Sequence, residues 1–237
     1  MKAILLAGGL GTRLRSVVAD RPKPMADVNG KPFAEYLVHA LASQGIREIT
    51  FAVGYLGEMI EEYFGDGSKF GVKARYAYEK ELLGTAGAIK NAAKAMDPDF
   101  DRVLVLNADT FYAMDYSRCF ACAEEQDLDM ALVLREVPDI RRYGEAVLEE
   151  GILTGFNEKS GEERRGTING GVYCITKERI DAIPDGKVSL ENEMIPLWMK
   201  EGRKLGGYVE KGYFIDIGVP EDYARFGRDA ADGKVIW

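Results

Sequence analysis

Histidine is almost missing from this chain: His39 is the only one in 237 residues, and cysteine occurs three times, at Cys119, Cys122 and Cys174. Cys119 and Cys122 form a C-x-x-C, but with no second pair and a single histidine a tetrahedral zinc site lacks ligands. An odd cysteine count in a long chain fits a reducing compartment better than a disulfide framework, so all three are expected in packing. His39 follows the apolar stripe Phe33, Tyr36, Leu37, Ala40 and Leu41 but lies outside it, which places it at a surface or boundary. Positive charge is also short. The 31 Lys and Arg against 39 Asp and Glu leave a formal −8, which disfavours a nucleic-acid partner and leaves anionic ligands to locally placed cations. No run of about 18 apolar residues occurs, so no membrane partner is expected. The first apolar stretch, Ala3 to Ala7, is too short for a signal peptide's core, and the chain reads as cytoplasmic. Linker-like composition, internal repeats and the six-residue repeats of a left-handed β-helix are missing too. One domain spanning residues 1–237 is therefore expected, with 46% hydrophobic residues to fill its core.

What is present begins at residue 2. Lys2 to Arg13 run an apolar strand into the glycine-rich loop Gly8-Gly9-Leu10-Gly11-Thr12-Arg13, with Pro22-Lys23-Pro24 ten residues on. Glycine lets backbone N–H groups approach phosphate oxygens closely, because no Cβ intervenes. Arg13 and Lys23 add charge, Lys23 as a solvated lysine at a strand end. The spacing fails the dinucleotide fingerprint, and no G-x-x-x-x-G-K-[ST] occurs. Taken alone, the glycines fit a tight strand-to-helix turn equally well.

Apolar runs at Ala3–Ala7, Ile49–Val53 and Val103–Leu106 show no polar alternation, as strands buried on both faces do. Helical stretches Phe33–Gln44 and Ala86–Met96 lie between them, giving the βαβ rhythm of a parallel sheet. Beyond Asp109 come short strands at Met130–Glu136, Ala146–Glu149, Ile168–Ile175 and Gly206–Val209 with few helices between, so the sheet is expected to turn mixed. The class is α/β. Tyr112, Tyr116 and Phe120 are expected as packing.

Ligands of open α/β sheets collect at the carboxyl ends of strands. Three such ends carry chemistry: the Gly8–Arg13 loop, Asn107-Ala108-Asp109, and Tyr213-Phe214-Ile215 running into Asp216-Ile217-Gly218. Two carboxylates beside a triphosphate suit Mg²⁺, which takes one or two carboxylates and fills its octahedron with phosphate and water. Asp109 and Asp216 are the expected metal ligands, although each alone is also an ordinary turn residue.

These motifs together resemble the sugar-1-phosphate nucleotidyltransferases along nearly the whole chain. Gly8–Arg13 with Pro22-Lys23-Pro24 is similar to the family signature, Gly84-Thr85-Ala86-Gly87 to its nucleoside-side loop, and Asn107-Ala108-Asp109 to its metal-bearing strand end. Arg142-Tyr143-Gly144, Glu158-Lys159, Asn169-Gly170-Gly171 and Asp216-Ile217-Gly218 follow in order. The resemblance implies a single-domain Rossmann-like nucleotidyltransferase fold. Its central sheet would be mostly parallel and flanked by helices, with a small antiparallel portion in the second half. Residues 1–115 would bind nucleotide and 116–237 the sugar phosphate.

The implied reaction is attack of a sugar 1-phosphate oxygen on the α-phosphorus of a nucleoside triphosphate, releasing pyrophosphate. In it Arg13 serves the β and γ phosphates, Lys23 the α-phosphate and the attacking phosphate, and Asp109 and Asp216 complete the catalytic set. The nucleotide-binding set is Leu6, Ala7, Gly8, Gly9, Gly11, Thr12, Arg13, Lys23, Glu79, Glu81, Gly84, Thr85, Asn107 and Asp109. The substrate-binding set is Tyr143, Gly144, Glu158, Lys159, Asn169, Gly170 and Asp216. A carboxylate at Glu79 or Glu81 suits guanine's N1–H and N2–H₂. Arg15–Val18, Ser189-Leu190-Glu191 and Gly212–Tyr223 resemble the branch that joins GMP from GTP to D-glycero-α-D-manno-heptose 1-phosphate. A uridylyltransferase for N-acetylmuramic acid 1-phosphate, a metal-dependent glycosyltransferase and a non-catalytic nucleotide sensor are the alternatives. Residues 160–166 are expected as a flap over the sugar, and homo-oligomerisation is left open.

Overall fold

The structure, a computed structural model, describes residues 1–9, 14, 17–157, 161 and 163–235. In chain order it begins with β1 (Lys2–Leu6), a 3-10 turn at Lys23–Met25, a small hairpin of β2 (Asp27–Val28) and β3 (Lys31–Pro32), then α1 (Phe33–Ser43) and β4 (Glu48–Val53). Next come α2 (Gly57–Phe64), β5 (Lys73–Tyr78), α3 (Gly84–Ala95), β6 (Arg102–Asn107), β7 (Thr110–Tyr112) and α4 (Ser117–Glu125). The second half holds β8 (Met130–Val137), β9 (Glu145–Glu149), β10 (Ile152–Asn157), β11 (Gly166–Thr176) and α5 (Lys177–Asp181). A π-helical turn at Leu190–Met194 then leads into α6 (Ile195–Lys200), followed by β12 (Leu205–Val209), β13 (Phe214–Asp216) and α7 (Pro220–Ala231).

Nine strands form the main sheet in the order β5-β4-β1-β6-β11-β8-β12-β10-β9. The first four pair in parallel, as the βαβ rhythm implies. β11 then enters antiparallel to both β6 and β8, β12 runs parallel to β8, and β10 is antiparallel to β12 and β9. The expected mixed second half is thus present, but its helices are more numerous than the sequence announces. α4 buries only Cys119, Cys122 and Ala123, a stripe too small to stand out as apolar.

Helices cover both faces. Ala3 and Leu5 of β1 and Leu104 and Leu106 of β6 face one layer, with Phe33 and Leu37 of α1, Phe64 of α2 and Phe226 of α7. Ile4, Val103 and Val105 face the other, with Ala86 and Ile89 of α3 and Trp198 of α6. Alternate residues of one strand thus feed two cores, which is why these runs carry no polar alternation. All three cysteines are buried thiols, and His39 is half-buried on α1, 3.3 Å from Glu35. Among the described residues no helix is long and apolar enough to cross a membrane.

Two late elements return to the first half of the sequence and position the site. β13 pairs antiparallel with β7, Asp216 opposite Thr110. Behind it, Pro220 starts α7 where its missing N–H matters least. Phe226 then seats edge-on to Phe33 and Tyr36, at centroid distances of 4.8 and 5.2 Å.

Candidate active site

Asp109 follows β6 across a single buried residue, Ala108, whose N–H donates to the Leu6 carbonyl at 3.1 Å. The Asp109 carbonyl in turn accepts from the Ile217 N–H at 3.0 Å, next to Asp216. Main-chain hydrogen bonds therefore bring together two carboxylates that lie far apart in the sequence. Asp216 Oδ1 accepts from the Gly218 N–H at 2.7 Å, which fixes its side chain. Lys23 opens the 3-10 turn and donates from Nζ to Asp109 Oδ2 at 2.6 Å. Its side chain is only 10% exposed, against 33% for Asp109. The expectation of a solvated strand-end lysine is corrected: a charge-assisted hydrogen bond to Asp109 holds Lys23 inside the site.

Two cavities of about 280 Å³ each meet at this floor, sharing Asn107 and Asp109. One is walled by Leu6, Gly8, Gly9, Glu79, Leu82, Gly84, Thr85 and Ala88. It is narrow at Gly8, where a Cβ would stand 2.5 Å from Glu79 Oε1. Burial raises the Glu79 carboxyl above its ordinary range, against the opposing effect of the Leu83 N–H that donates to Oε2 at 3.0 Å. Gly84 starts α3 at φ +68°, and a Cβ there would lie 2.5 Å from the Val188 carbonyl, so this wall needs glycine.

The other cavity is lined by Asp216, Thr110, Arg142, Tyr143 and Gly144 on one side and by Asn169, Gly170, Gly171, Glu191 and Asn192 on another, with Phe156 and Phe214 as apolar walls. Burial raises the Tyr143 phenol, partly offset by the Arg142 guanidinium. Arg142 is itself held by Asp222 at 2.9 Å. A register shift in β11 between Asn169 and Val172 turns the strand at Asn169, as bulges beside ligand sites do.

An apolar-walled cleft and a polar one joined at paired carboxylates and a lysine suit two anionic substrates meeting at one reactive point. The family model for nucleotidyl transferases matches residues 2–233. The chain belongs to the nucleotidyl transferase family. This nucleotidyltransferase is 42% identical, over 95% of its length and 98% of the relative's, to D-glycero-alpha-D-manno-heptose 1-phosphate guanylyltransferase of Campylobacter jejuni subsp. jejuni. The enzyme of the same name from Aneurinibacillus thermoaerophilus is 38% identical over 95% of this chain and 96% of its own. Among solved structures, HddC from Yersinia pseudotuberculosis complexed with GMP-PN superposes with a TM-score of 0.85 at 36% identity, covering 97% of this chain and 99% of that one. The expected α/β nucleotidyltransferase fold and catalytic class are thereby shown, and family membership sets the glycosyltransferase aside.

In this nucleotidyltransferase the cleft gathers Leu6, Gly8, Gly9, Glu79, Gly84, Thr85, Asn107, Asp109, Tyr143, Gly144, Asn169, Gly170 and Asp216 from the expected sets. Ala7 lies beneath the wall, 2% exposed, its N–H bonded to the Ala52 carbonyl at 2.8 Å, and does not line it. Glu81 is exposed and outside the lining; Leu82 is the lining residue there. Two residues on, the Leu83 N–H donates to Glu79 Oε2. Gly11, Thr12, Arg13, Glu158 and Lys159 lie outside the described residues, as do Ser160 and Glu162 of the expected flap.

Sequence reasoning missed Leu82, Ala88, Thr110, Phe156, Glu191, Asn192 and Phe214 as lining residues. Phe214 and Thr110 carried a signal, since Thr110 follows Asp109 directly and Phe214 lies two residues before Asp216. Glu191 carried only its place in Ser189-Leu190-Glu191. The donor set fits a hard divalent cation: Asp109 and Asp216 offer carboxylate oxygens, and among the described residues no group of three or more His, Cys, Asp or Glu is placed to enclose a metal alone. Such a pair suits Mg²⁺ that shares its shell with substrate phosphates.

Proposed function

We propose that this nucleotidyltransferase joins GMP from GTP to D-glycero-α-D-manno-heptose 1-phosphate and releases pyrophosphate. The observation that carries the proposal is the meeting of two differently walled cavities at Asp109, with Asp216 and Lys23 beside it. Similarity over nearly full length to two heptose 1-phosphate guanylyltransferases, and to HddC in complex with GMP-PN, supports the choice of base and sugar.

In this reading the cavity beside Gly8 and Thr85 receives the nucleoside. Glu79 accepts from guanine's N1–H and N2–H₂, donors that uracil does not match. The Gly8–Arg13 loop cradles the phosphates, with Arg13 at the β and γ groups. The cavity beside Asn169 and Tyr143 receives the sugar phosphate, with Lys159 at its phosphate and Glu158 accepting from vicinal hydroxyls. The sugar phosphate oxygen attacks the α-phosphorus in line, a new P–O bond forms, and the bond to the β-phosphate oxygen breaks. Lys23, paired with Asp109 before substrate binds, in this reading turns its ammonium to the α-phosphate and attacking phosphate as charge moves between them. Asp109 and Asp216 would hold Mg²⁺, which supplies Lewis-acid charge to phosphate oxygens when bound. No protein nucleophile is needed, since positioning two anions and neutralising them supplies the catalysis. The chemistry requires only small, soluble substrates, in keeping with a cytoplasmic site of action.

Pyrophosphate release across four nucleoside triphosphates and the 1-phosphates of manno-heptose, mannose, glucose and N-acetylmuramic acid tests this. GTP with manno-heptose 1-phosphate is expected to give the highest kcat/KM. A higher value for UTP with N-acetylmuramic acid 1-phosphate would replace both substrates in the proposal.

A further inference from the structure

The two cavities are joined by a second connection besides the aspartate floor. Glu191 lies on the π-helical turn, and its Oε2 accepts from the Thr85 hydroxyl at 2.6 Å in the nucleoside cavity. Its Oε1 accepts from the Tyr173 hydroxyl at 3.2 Å. That hydroxyl accepts from Asn169 Nδ2 at 2.6 Å in the sugar cavity. Tyr173 itself is fully buried, 0% exposed, and lines neither cavity.

The direction of every donor in this chain is fixed by two main-chain groups. The Leu190 N–H donates to Thr85 Oγ1 at 2.7 Å, so the Thr85 hydroxyl hydrogen is directed to Glu191. The Gly171 N–H donates to Asn169 Oδ1 at 3.0 Å, so Asn169 presents its amide nitrogen to Tyr173. Tyr173 then passes its own hydrogen to Glu191. Both ends of the network thus converge as donors on the two separate oxygens of one side chain, an arrangement that a carboxylate, acceptor at both, receives without reorientation. An amide at 191 has one acceptor oxygen. Its NH₂ would face a hydroxyl that now donates to Glu191, so that hydroxyl would have to turn its hydrogen away and accept instead, losing the present donor direction.

We propose that Glu191 is a positioning residue that couples the nucleoside wall to the sugar wall through buried Tyr173, so that disturbing either wall changes binding at both. The coupling rests on the assignment of the two cavities given above and adds a prediction which that assignment does not make. Thr85 touches no sugar in that assignment and Tyr173 touches no substrate at all. Substitutions there should nonetheless alter the KM of both substrates.

The test uses Thr85→Val, Tyr173→Phe and Glu191→Gln in the full chain, with two readouts. In steady-state assays each variant is expected to raise the KM of GTP and of the sugar 1-phosphate together, by about fivefold or more, the factor that one lost hydrogen bond corresponds to. Combining Thr85→Val with Glu191→Gln should add little to the larger single effect, as for residues acting in one network. The second readout is amide hydrogen exchange of ligand-free protein, which needs no turnover. Glu191→Gln is expected to speed exchange at Leu190 and at Gly171 by about fivefold or more. Thr85→Val that changes only the KM of GTP, or faster exchange confined to Leu190, overturns the coupling. If the wild-type chain shows no transfer from any triphosphate while both amides respond, the functional assignment fails and the coupling stands.

Discussion

Replacing Asp109 by Asn, which is isosteric but uncharged, is expected to weaken the ligand-free fold because it strands the Lys23 ammonium. The lysine side chain is 10% exposed, and its Nζ sits 2.6 Å from Asp109 Oδ2. At an effective permittivity of 20 two charges at that separation attract by about 6 kcal/mol. Desolvation of both groups cancels most of this, and breaking a fully buried pair by removing one partner typically costs about 3–5 kcal/mol. Asp109 is 33% exposed, so water still reaches the pair and the expected loss is about 1–3 kcal/mol. For a domain of this size each kcal/mol lowers Tm by about 3 °C, giving a drop of about 3–9 °C. Lys23→Met should cost less, since the aspartate it leaves behind can hydrate. The double variant should be about 1–2 kcal/mol more stable than Asp109→Asn alone, because no unpaired cation remains. Calorimetric melting without nucleotide or divalent cation measures all four proteins. Additive losses across the cycle, or Asp109→Asn melting at the wild-type temperature, would refute the stranded-charge account.

Three further outcomes follow from the geometry. Because burial holds the Glu79 carboxyl above its ordinary range, the stability it contributes is complete below about pH 4 and is lost as pH rises through the raised value. Glu79→Gln should therefore melt above wild type at pH 7, with the gap closing toward pH 4 in a pH series of melts; a gap that widens in acid contradicts the burial effect. Gly84→Ala forces a Cβ to 2.5 Å from the Val188 carbonyl at φ +68°, with an expected loss of about 1–3 kcal/mol in urea unfolding, whereas an unchanged midpoint would mean that this backbone relaxes freely. Phe226→Ala removes the anchor of α7, 0% exposed, for an expected 3–5 kcal/mol by the same assay; a loss under about 1 kcal/mol would show that α7 is held by other contacts.

The parallel half of the sheet was legible because its strands are buried on both faces. Ile4 faces one core while Ala3 and Leu5 face the other, so the run has to be apolar throughout. Strand order was not legible. β11 lies between β6 and β8 although four other strands separate β6 from β11 in the sequence, and such pairings leave no local mark. The closeness of Asp109 and Asp216 was legible because one follows and the other ends a short apolar strand, where open sheets bind ligands. The burial of Lys23 depends on a partner 86 positions away, and Glu191 sits on a π-helical turn, a local geometry that the sequence did not announce. Glu81 lies exposed and outside the lining although Leu82 beside it lines the cavity, a difference of side-chain direction over one residue that no spacing in the sequence announces.

The antiparallel pairing of β13 with β7 has a consequence for how such an enzyme can diversify. Since peptide geometry sets the span between the two carboxyl-bearing positions, that span is as invariant as the rungs of a ladder. Loops around the mouth can lengthen, shorten or exchange residues and so admit a different base or sugar, while the floor beneath them keeps its dimensions.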